Sequence, residues 1–142
     1  MGTYKIKFKF LKTINNLSHL FEDCSKLCLI NFDNYEMEKV EDISYMFKNC
    51  ISLKEFTLNK TTSVRNMSYM FYGCSNLESV NFSNFKAKKI EDISYMFYKC
   101  FNLAFLQIYL HIKEKAFIEN AFTGVRNCSL ITNDIGIKIF KK

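Results

Sequence analysis

The motif EDISYMFKNC at residues 41–50 returns as RNMSYMFYGC at 65–74 and as EDISYMFYKC at 91–100. An earlier copy, NNLSHLFEDC, occupies residues 15–24, and a weaker copy, FIENAFTGV, occupies 117–125. The phenylalanines shared by the five copies are Phe21, Phe47, Phe71, Phe97 and Phe122. Their spacings of 26, 24, 26 and 25 residues are typical of a solenoid, in which each copy forms one coil and neighbouring coils cover each other's apolar side chains.

Each copy continues with a second apolar pattern. After the cysteine of the second copy come Leu53, Phe56 and Leu58 at L-x-x-L-x-L spacing, and the first, third and fourth copies repeat it. This spacing is typical of leucine-rich repeats, in which the final positions form a short strand of a parallel sheet. The sequence therefore predicts one short strand in each copy.

The motif itself predicts a short helix packed on that sheet. Its apolar residues in the fourth copy, Ile90, Ile93, Met96, Phe97 and Cys100, lie close to helical spacing. An aspartate or asparagine precedes the predicted helix, where its side chain can accept a hydrogen bond from a backbone N–H of the first turn. These predicted caps are Asp42, Asn66 and Asp92.

The predicted fold is α/β, a leucine-rich-repeat-type solenoid of about four to five coils with a parallel sheet on one face and short helices on the other. We expect one domain over residues 1–142, with an N-terminal cap strand in 1–13, repeats in 14–110, and a decayed repeat with a C-terminal cap in 111–142. Alternating apolar residues predict capping strands at both ends, so we expect a complete folding unit. They are Tyr4, Ile6, Phe8, Phe10, Ile135, Ile137 and Ile139.

The combination of SYMF(Y)xC with CSNLESVNFSNF resembles the roughly 26-residue repeat of BspA-like leucine-rich-repeat surface proteins from bacteria, mycoplasmas and some protist parasites. The resemblance covers about residues 14–110. His19, Leu20, Ala121 and Val125 depart from its pattern. It implies an exported, cell-surface or extracellular protein with a binding or adhesion role. The N-terminus carries no apolar signal-peptide region, which leaves a cytoplasmic location open.

Composition limits the possible partners. The chain carries 49% apolar residues and a net charge of +6, and a basic chain can bind nucleic acid or an anionic membrane. Seven of its 20 basic residues are lysines at the two chain ends, where they discourage edge pairing of a terminal strand, so the distribution disfavours nucleic acid. No apolar run is long enough to predict a membrane helix.

Catalytic, cofactor and metal sites are not expected. His19 and His111, the two histidines, have no nucleophile and orienting acid beside them in the sequence. No glycine-rich phosphate loop is present. We expect reduced, buried thiols at the cysteines that share one repeat position, because neighbouring rungs about 4.8 Å apart are too widely spaced for a disulfide. These cysteines are Cys24, Cys50, Cys74 and Cys100.

Two sets of residues are candidates for recognition. The recurring tyrosines Tyr45, Tyr69 and Tyr95 either form a recognition surface or pack to maintain the repeat, and repeat-invariant residues favour the structural role. Binding information is expected instead on the outward strand positions, where copies differ. These partner-binding candidates are Asn31, Thr57, Asn81, Phe105, Gln107, Tyr109 and Leu110. The last coil provides an aromatic patch, unless the C-terminal segment covers it as a cap.

The expected function is a non-catalytic module that binds a protein or glycoprotein through the concave sheet face. Two alternatives stay open: a structural spacer or stalk repeat of a larger surface protein, and an intracellular leucine-rich-repeat scaffold or inhibitor. A monomer is expected, with end-to-end association as part of the spacer alternative.

Overall fold

The computed structural model describes residues 13–32, 35, 37–58, 61–87, 89–108, 112–125 and 129–131. Six short strands fall within them: β1 Glu55–Thr57, β2 Ser79–Phe82, β3 Ile90–Asp92, β4 Phe105–Ile108, β5 Ile112–Phe117 and β6 Ser129–Ile131. They form two open sheets, one with the order β1-β2-β4-β6 and one that pairs β3 with β5. Every pairing is parallel.

The four-stranded sheet joins equivalent positions of successive copies. Val80 of β2 lies between Phe56 of β1 and Leu106 of β4, and Leu106 pairs in turn with Leu130 of β6. The first three of these side chains are at most 2% exposed. The predicted short parallel strands are therefore confirmed for the second, third and fourth copies.

A second ladder runs along the start of each motif. Isolated parallel bridges link Asn16 to Asp42, Asp42 to Asn66, and Asn66 to Asp92. The register continues from Asp92 of β3 to Phe117 of β5. From the second copy onwards, each copy thus pairs with the next one at two places, once before the motif and once after it. The first copy pairs with the second only before its motif, and its predicted strand is wrong, because residues 27–32 form none.

The predicted helices are wrong, because the described residues contain no helix. In the second copy the N–H groups of Met46, Lys48 and Cys50 donate to carbonyls three residues earlier. The alternate N–H groups, such as those of Tyr45 and Phe47, donate to the next copy instead. An α-helix would require consecutive N–H groups to bond within the segment, so each motif forms a chain of turns. We call these turn segments: residues 17–24, 43–50, 67–74, 93–100 and 118–125.

Left-handed backbone conformations explain why the turns do not merge into a helix. Tyr45 has φ 57 and Asn49 has φ 58, and the equivalent residues of the other copies are also left-handed. These left-handed residues recur four positions apart in each turn segment, and each one prevents the right-handed turns on either side of it from joining into a helix. Apolar residues three and four positions apart still face one side, which is why their spacing suggested a helix.

The predicted caps make the expected hydrogen bonds in a different setting. The side-chain oxygens of Asp42, Asn66 and Asp92 accept the backbone N–H two residues later, at 2.8, 3.0 and 2.8 Å. This local bond is typical of an Asx turn. The residues open a turn segment instead of a helix.

Aligned side chains fill the space between the ladders. Rings stack along the molecule from Phe21 to Phe47, Phe71, Phe97 and Phe122 with centroids 5.5–5.8 Å apart. The three middle rings are fully buried. Stacked and edge-on aromatic pairs add stability beyond that of area burial alone. The predicted capping strands at residues 4–10 and 135–139 lie outside the described residues.

The cysteine prediction holds for three of its four residues. Cys50, Cys74 and Cys100 are buried free thiols, whereas Cys24 is exposed. Each buried thiol donates a hydrogen bond to a phenylalanine carbonyl of the preceding copy at 3.0–3.1 Å. Cys24 belongs to the first copy, and no earlier copy covers it among the described residues. Its predicted burial is therefore wrong.

Candidate binding surface

The outward side chains of β1, β2 and β4 form one surface, which we call the strand face. A strand points successive side chains to opposite sides, so the middle residue Phe56 is buried while Glu55 and Thr57 are exposed. The same alternation occurs in β2 and β4. The strand face consists of Glu55, Thr57, Ser79, Asn81, Phe105 and Gln107.

The structure brings three predicted binding residues into one row. Thr57 pairs with Asn81, and Asn81 pairs with Gln107. Thr57 is exposed, and the other two are half-buried. The side chain of Asn81 accepts the backbone N–H of Ser83 at 2.8 Å, which fixes its orientation. This row is uncharged and polar, as expected from the sequence.

A second row lies beside it and is more varied. Glu55 pairs with Ser79, Ser79 with Phe105, and Phe105 with Ser129 of β6. Phe105 is 37% exposed. Strand β6 extends the sheet beyond β4 and leaves Phe105 accessible. Along this row the surface changes from acidic to polar to aromatic within three rungs.

The other predicted binding residues are less well placed. Asn31 is exposed but lies in no strand. Tyr109 and Leu110 lie outside the described residues, so the proposed aromatic patch of the fourth copy is represented by Phe105 alone. Several exposed apolar residues were not among the candidates, and the one at the repeat position of Phe105 is Leu29, which is 65% exposed. The repeat spacing could have predicted this exposure, because Leu29 follows Cys24 at the same distance as Phe105 follows Cys100.

The recurring tyrosines form a row on the turn segments. The ring of Tyr69 stacks on Tyr45 at 4.7 Å and on Tyr95 at 4.8 Å, and His19 continues the row on Tyr45 at 4.6 Å. Because both faces of the Tyr45 and Tyr69 rings are covered, only the edges and polar tips of these two rings are available to a ligand. The contacts favour a role in holding the copies in register.

Charged side chains also link neighbouring copies. Lys48 contacts Glu22 at 2.9 Å, and Arg65 contacts Glu91 at 3.2 Å. Hydrogen bonds from His19 and Lys48 lower the pKa of Glu22. Both pairs are partly exposed, so each contributes little stability.

Burial keeps three of the described thiols in the neutral form. Burial raises the pKa of Cys50 and of Cys100 to about 12 and raises the pKa of Cys74 as well, which suppresses the thiolate that a nucleophile needs. His19 pairs with Glu22 at 2.5 Å on an exposed surface, and His111 lies outside the described residues. Within the described ranges, no three His, Cys, Asp or Glu side chains converge as metal ligands would.

Comparison with known proteins identifies the family. Residues 15–131 match the model of the family described as "Mycoplasma protein of unknown function, DUF285". Because this match spans most of the 142 residues, the chain belongs to that family. No curated protein and no solved structure matches the chain significantly. In the part of the chain that the structure describes, no helix has the length and apolar character of a membrane span.

Proposed function

We propose that the chain is a non-catalytic binding module: a leucine-rich-type solenoid whose strand face contacts a protein or glycoprotein ligand. The observation that supports this most is a contrast within single strands. The inner positions of β1, β2 and β4 are apolar and at most 2% exposed, whereas the outer positions change in charge and size from copy to copy. Positions that only maintain a repeat stay constant, as the motif does.

The chemistry of the strand face fits a protein-like ligand. The row Thr57–Asn81–Gln107 offers hydrogen-bonding groups with no net charge, and Phe105 offers a partly exposed ring beside it. An aromatic anchor flanked by polar groups is typical of the centre of a protein interface. A nucleic-acid surface would instead carry a row of cations, and Glu55 and Glu78 stand on or beside this face.

We place the module on a cell surface. The family whose model covers the repeats is described as a mycoplasma family. The motif also resembles the repeat of BspA-like leucine-rich-repeat surface proteins. That resemblance favours adhesion over the intracellular scaffold or inhibitor alternative.

Binding of the fluorescently labelled chain to a cultured epithelial monolayer tests the proposal. We expect saturable binding that is lost after the monolayer is treated with protease. Phe105→Ser should weaken it by about tenfold or more, as the loss of an aromatic anchor does.

Phe101→Ser is the matched control, because Phe101 is 49% exposed and lies outside the strands, in the turn after Cys100. It should bind as the unmodified chain does, and both variants should keep the unfolding midpoint in urea. Equal loss of binding in both variants, or binding that neither variant changes, would contradict a site on the strand face.

A further inference from the structure

Consecutive copies are joined by a regular set of backbone bonds. Between the second and third copies, the N–H groups of Ile43, Tyr45, Phe47 and Asn49 donate to carbonyls of the third copy at 2.7–3.0 Å. The other three junctions have the same four bonds at equivalent positions, with distances of 2.8–3.2 Å. At these four positions of the turn segment the direction never changes: the earlier copy donates and the later copy accepts.

Among the described residues, this direction leaves complementary backbone groups without partners in the first and the fifth copy. In the fifth copy, the N–H groups at the donor positions find no acceptor among the described residues. In the first copy, the carbonyls at the acceptor positions receive no donor from the described residues. The unused donors are Ile118, Asn120, Phe122 and Gly124. The unused acceptors are Asn16, Ser18, Leu20 and Glu22.

Apolar side chains at core positions are exposed at the same two ends. Ile118 is 55% exposed, although its counterparts Met67 and Ile93 are fully buried. Leu20 is 41% exposed, whereas its counterparts in the second to fourth copies, such as Met70, are at most 1% exposed. At each end, a side chain that a neighbouring copy would bury faces solvent.

We propose that two molecules of this chain associate head to tail, with the fifth copy of one molecule against the first copy of another. The junctions inside the chain supply the template, since the donors of one end match the acceptors of the other in number and spacing. Ile118 and Leu20 would then lie in a continuous core. Phe117, which is 71% exposed, adds apolar area beside the junction.

This contact uses different surfaces on the two molecules, so it leaves a free end on each side. A heterologous contact of this kind builds open linear assemblies unless its rotation closes a ring. The strand face takes no part in this contact, so the proposal is independent of the proposed function. An assembly of this kind would carry several strand faces in a line.

Two blocking variants and their mixture test the proposal by sedimentation velocity. The unmodified chain should form species larger than a monomer that increase with concentration. Ile118→Asp blocks one end and Leu20→Asp blocks the other, and each should weaken association by about a hundredfold, because a carboxylate would be buried without a partner.

An equimolar mixture of the two variants gives the sharpest outcome. Each variant keeps the end that the other lacks, so the mixture should form heterodimers and nothing larger. Ile51→Asp is the control, since Ile51 is 46% exposed and lies in an interior copy; it should associate as the unmodified chain does.

Other results would overturn the proposal. A strict monomer at every concentration would show that the ends are covered in another way, for instance by further repeats of a longer chain. Homodimers of either blocked variant, or a mixture that stays monomeric, would exclude the head-to-tail geometry. The unfolding midpoint of each variant in urea confirms that the change acts on association and not on folding.

Discussion

The turn segments and the strand face belong to the same copies, yet they vary to very different degrees. The turn segments keep Met-Phe and the tyrosine nearly unchanged, and their rings stack from copy to copy. The strand face replaces Glu55 by Ser79 and then by Phe105 at one position of the repeat. The turn segments fix the spacing between copies, which leaves the strand face free to change without loss of the fold.

The largest effect is expected from the centre of the phenylalanine stack. Phe71 is fully buried and stacks on Phe47 at 5.7 Å and on Phe97 at 5.5 Å. Phe71→Ala should lower the free energy of unfolding by about 3–5 kcal/mol, the usual cost of a cavity of this size. Phe105→Ala on the strand face should cost well under half as much in the same urea titration. Equal losses would show that both sides contribute equally to the core.

The buried thiols predict a loss of stability at alkaline pH. Burial raises the pKa of Cys100 to about 12 from its ordinary value near 9.0. The unfolded chain therefore releases this proton at a lower pH than the folded chain, so the stabilisation is complete below pH 9.0 and decreases as the pH rises towards 12.

Cys100→Ala isolates this contribution from that of the lysines and tyrosines, which also titrate at high pH. It should make the fall in unfolding free energy shallower by about 1.4 kcal/mol per pH unit over that window. Parallel curves for the two proteins, measured in urea at a series of pH values, would contradict the burial of this thiol.

The tyrosine row should have a moderate effect. Tyr69 has φ 56, a backbone conformation that tyrosine rarely adopts. Its ring stacks on those of Tyr45 and Tyr95, and these contacts offset the cost of that conformation. Tyr69→Ala should cost about 1–3 kcal/mol, from two lost ring pairs. Tyr69→Asn, which tolerates the left-handed backbone, should cost less. Thermal unfolding of an alanine variant at the same temperature as the unmodified chain would contradict the contribution of the ring contacts, and an asparagine variant less stable than alanine would contradict that of the left-handed backbone.

The smallest change should be a gain. Thr61 is fully buried, and its hydroxyl has no hydrogen-bond partner among the residues that the structure describes. Thr61→Val keeps the shape and removes the unsatisfied group, so we expect up to about 1 kcal/mol of added stability. A destabilised valine variant in differential scanning calorimetry would reveal a hydrogen bond or a water that satisfies the hydroxyl.

The strand side of the fold could be predicted from the sequence, whereas the turn side could not. Alternation about Phe56, Val80 and Leu106 identifies both the buried and the outward positions, because a strand has only two faces. The turn segments were predicted as helices because residues three positions apart, such as Ile43 and Met46, face the same side in a helix and in this chain of turns. The left-handed conformation of the tyrosines could not be predicted from their residue type, since the residues that favour this conformation are glycine and asparagine.

The candidate site could be predicted only in part. The repeat frame located Thr57, Asn81, Phe105 and Gln107 on one surface, since equivalent positions of successive copies become neighbours in the sheet. It did not reveal the exposed side chains at the two ends, because Leu20 and Ile118 are apolar like the buried residues at the equivalent positions of the other copies. Exposure at those positions depends on the number of copies, which the motif does not encode.

The most direct test gives one copy the outward side chains of its neighbour and measures both stability and binding. The double substitution Glu55→Ser and Thr57→Asn gives β1 the outward residues of β2, Ser79 and Asn81. Because both changed side chains are exposed, the unfolding free energy should stay within about 0.5 kcal/mol, while binding to the epithelial monolayer decreases. Unfolding of the double variant, or unchanged binding by a folded one, would contradict the separation of a constant scaffold from a variable recognition face.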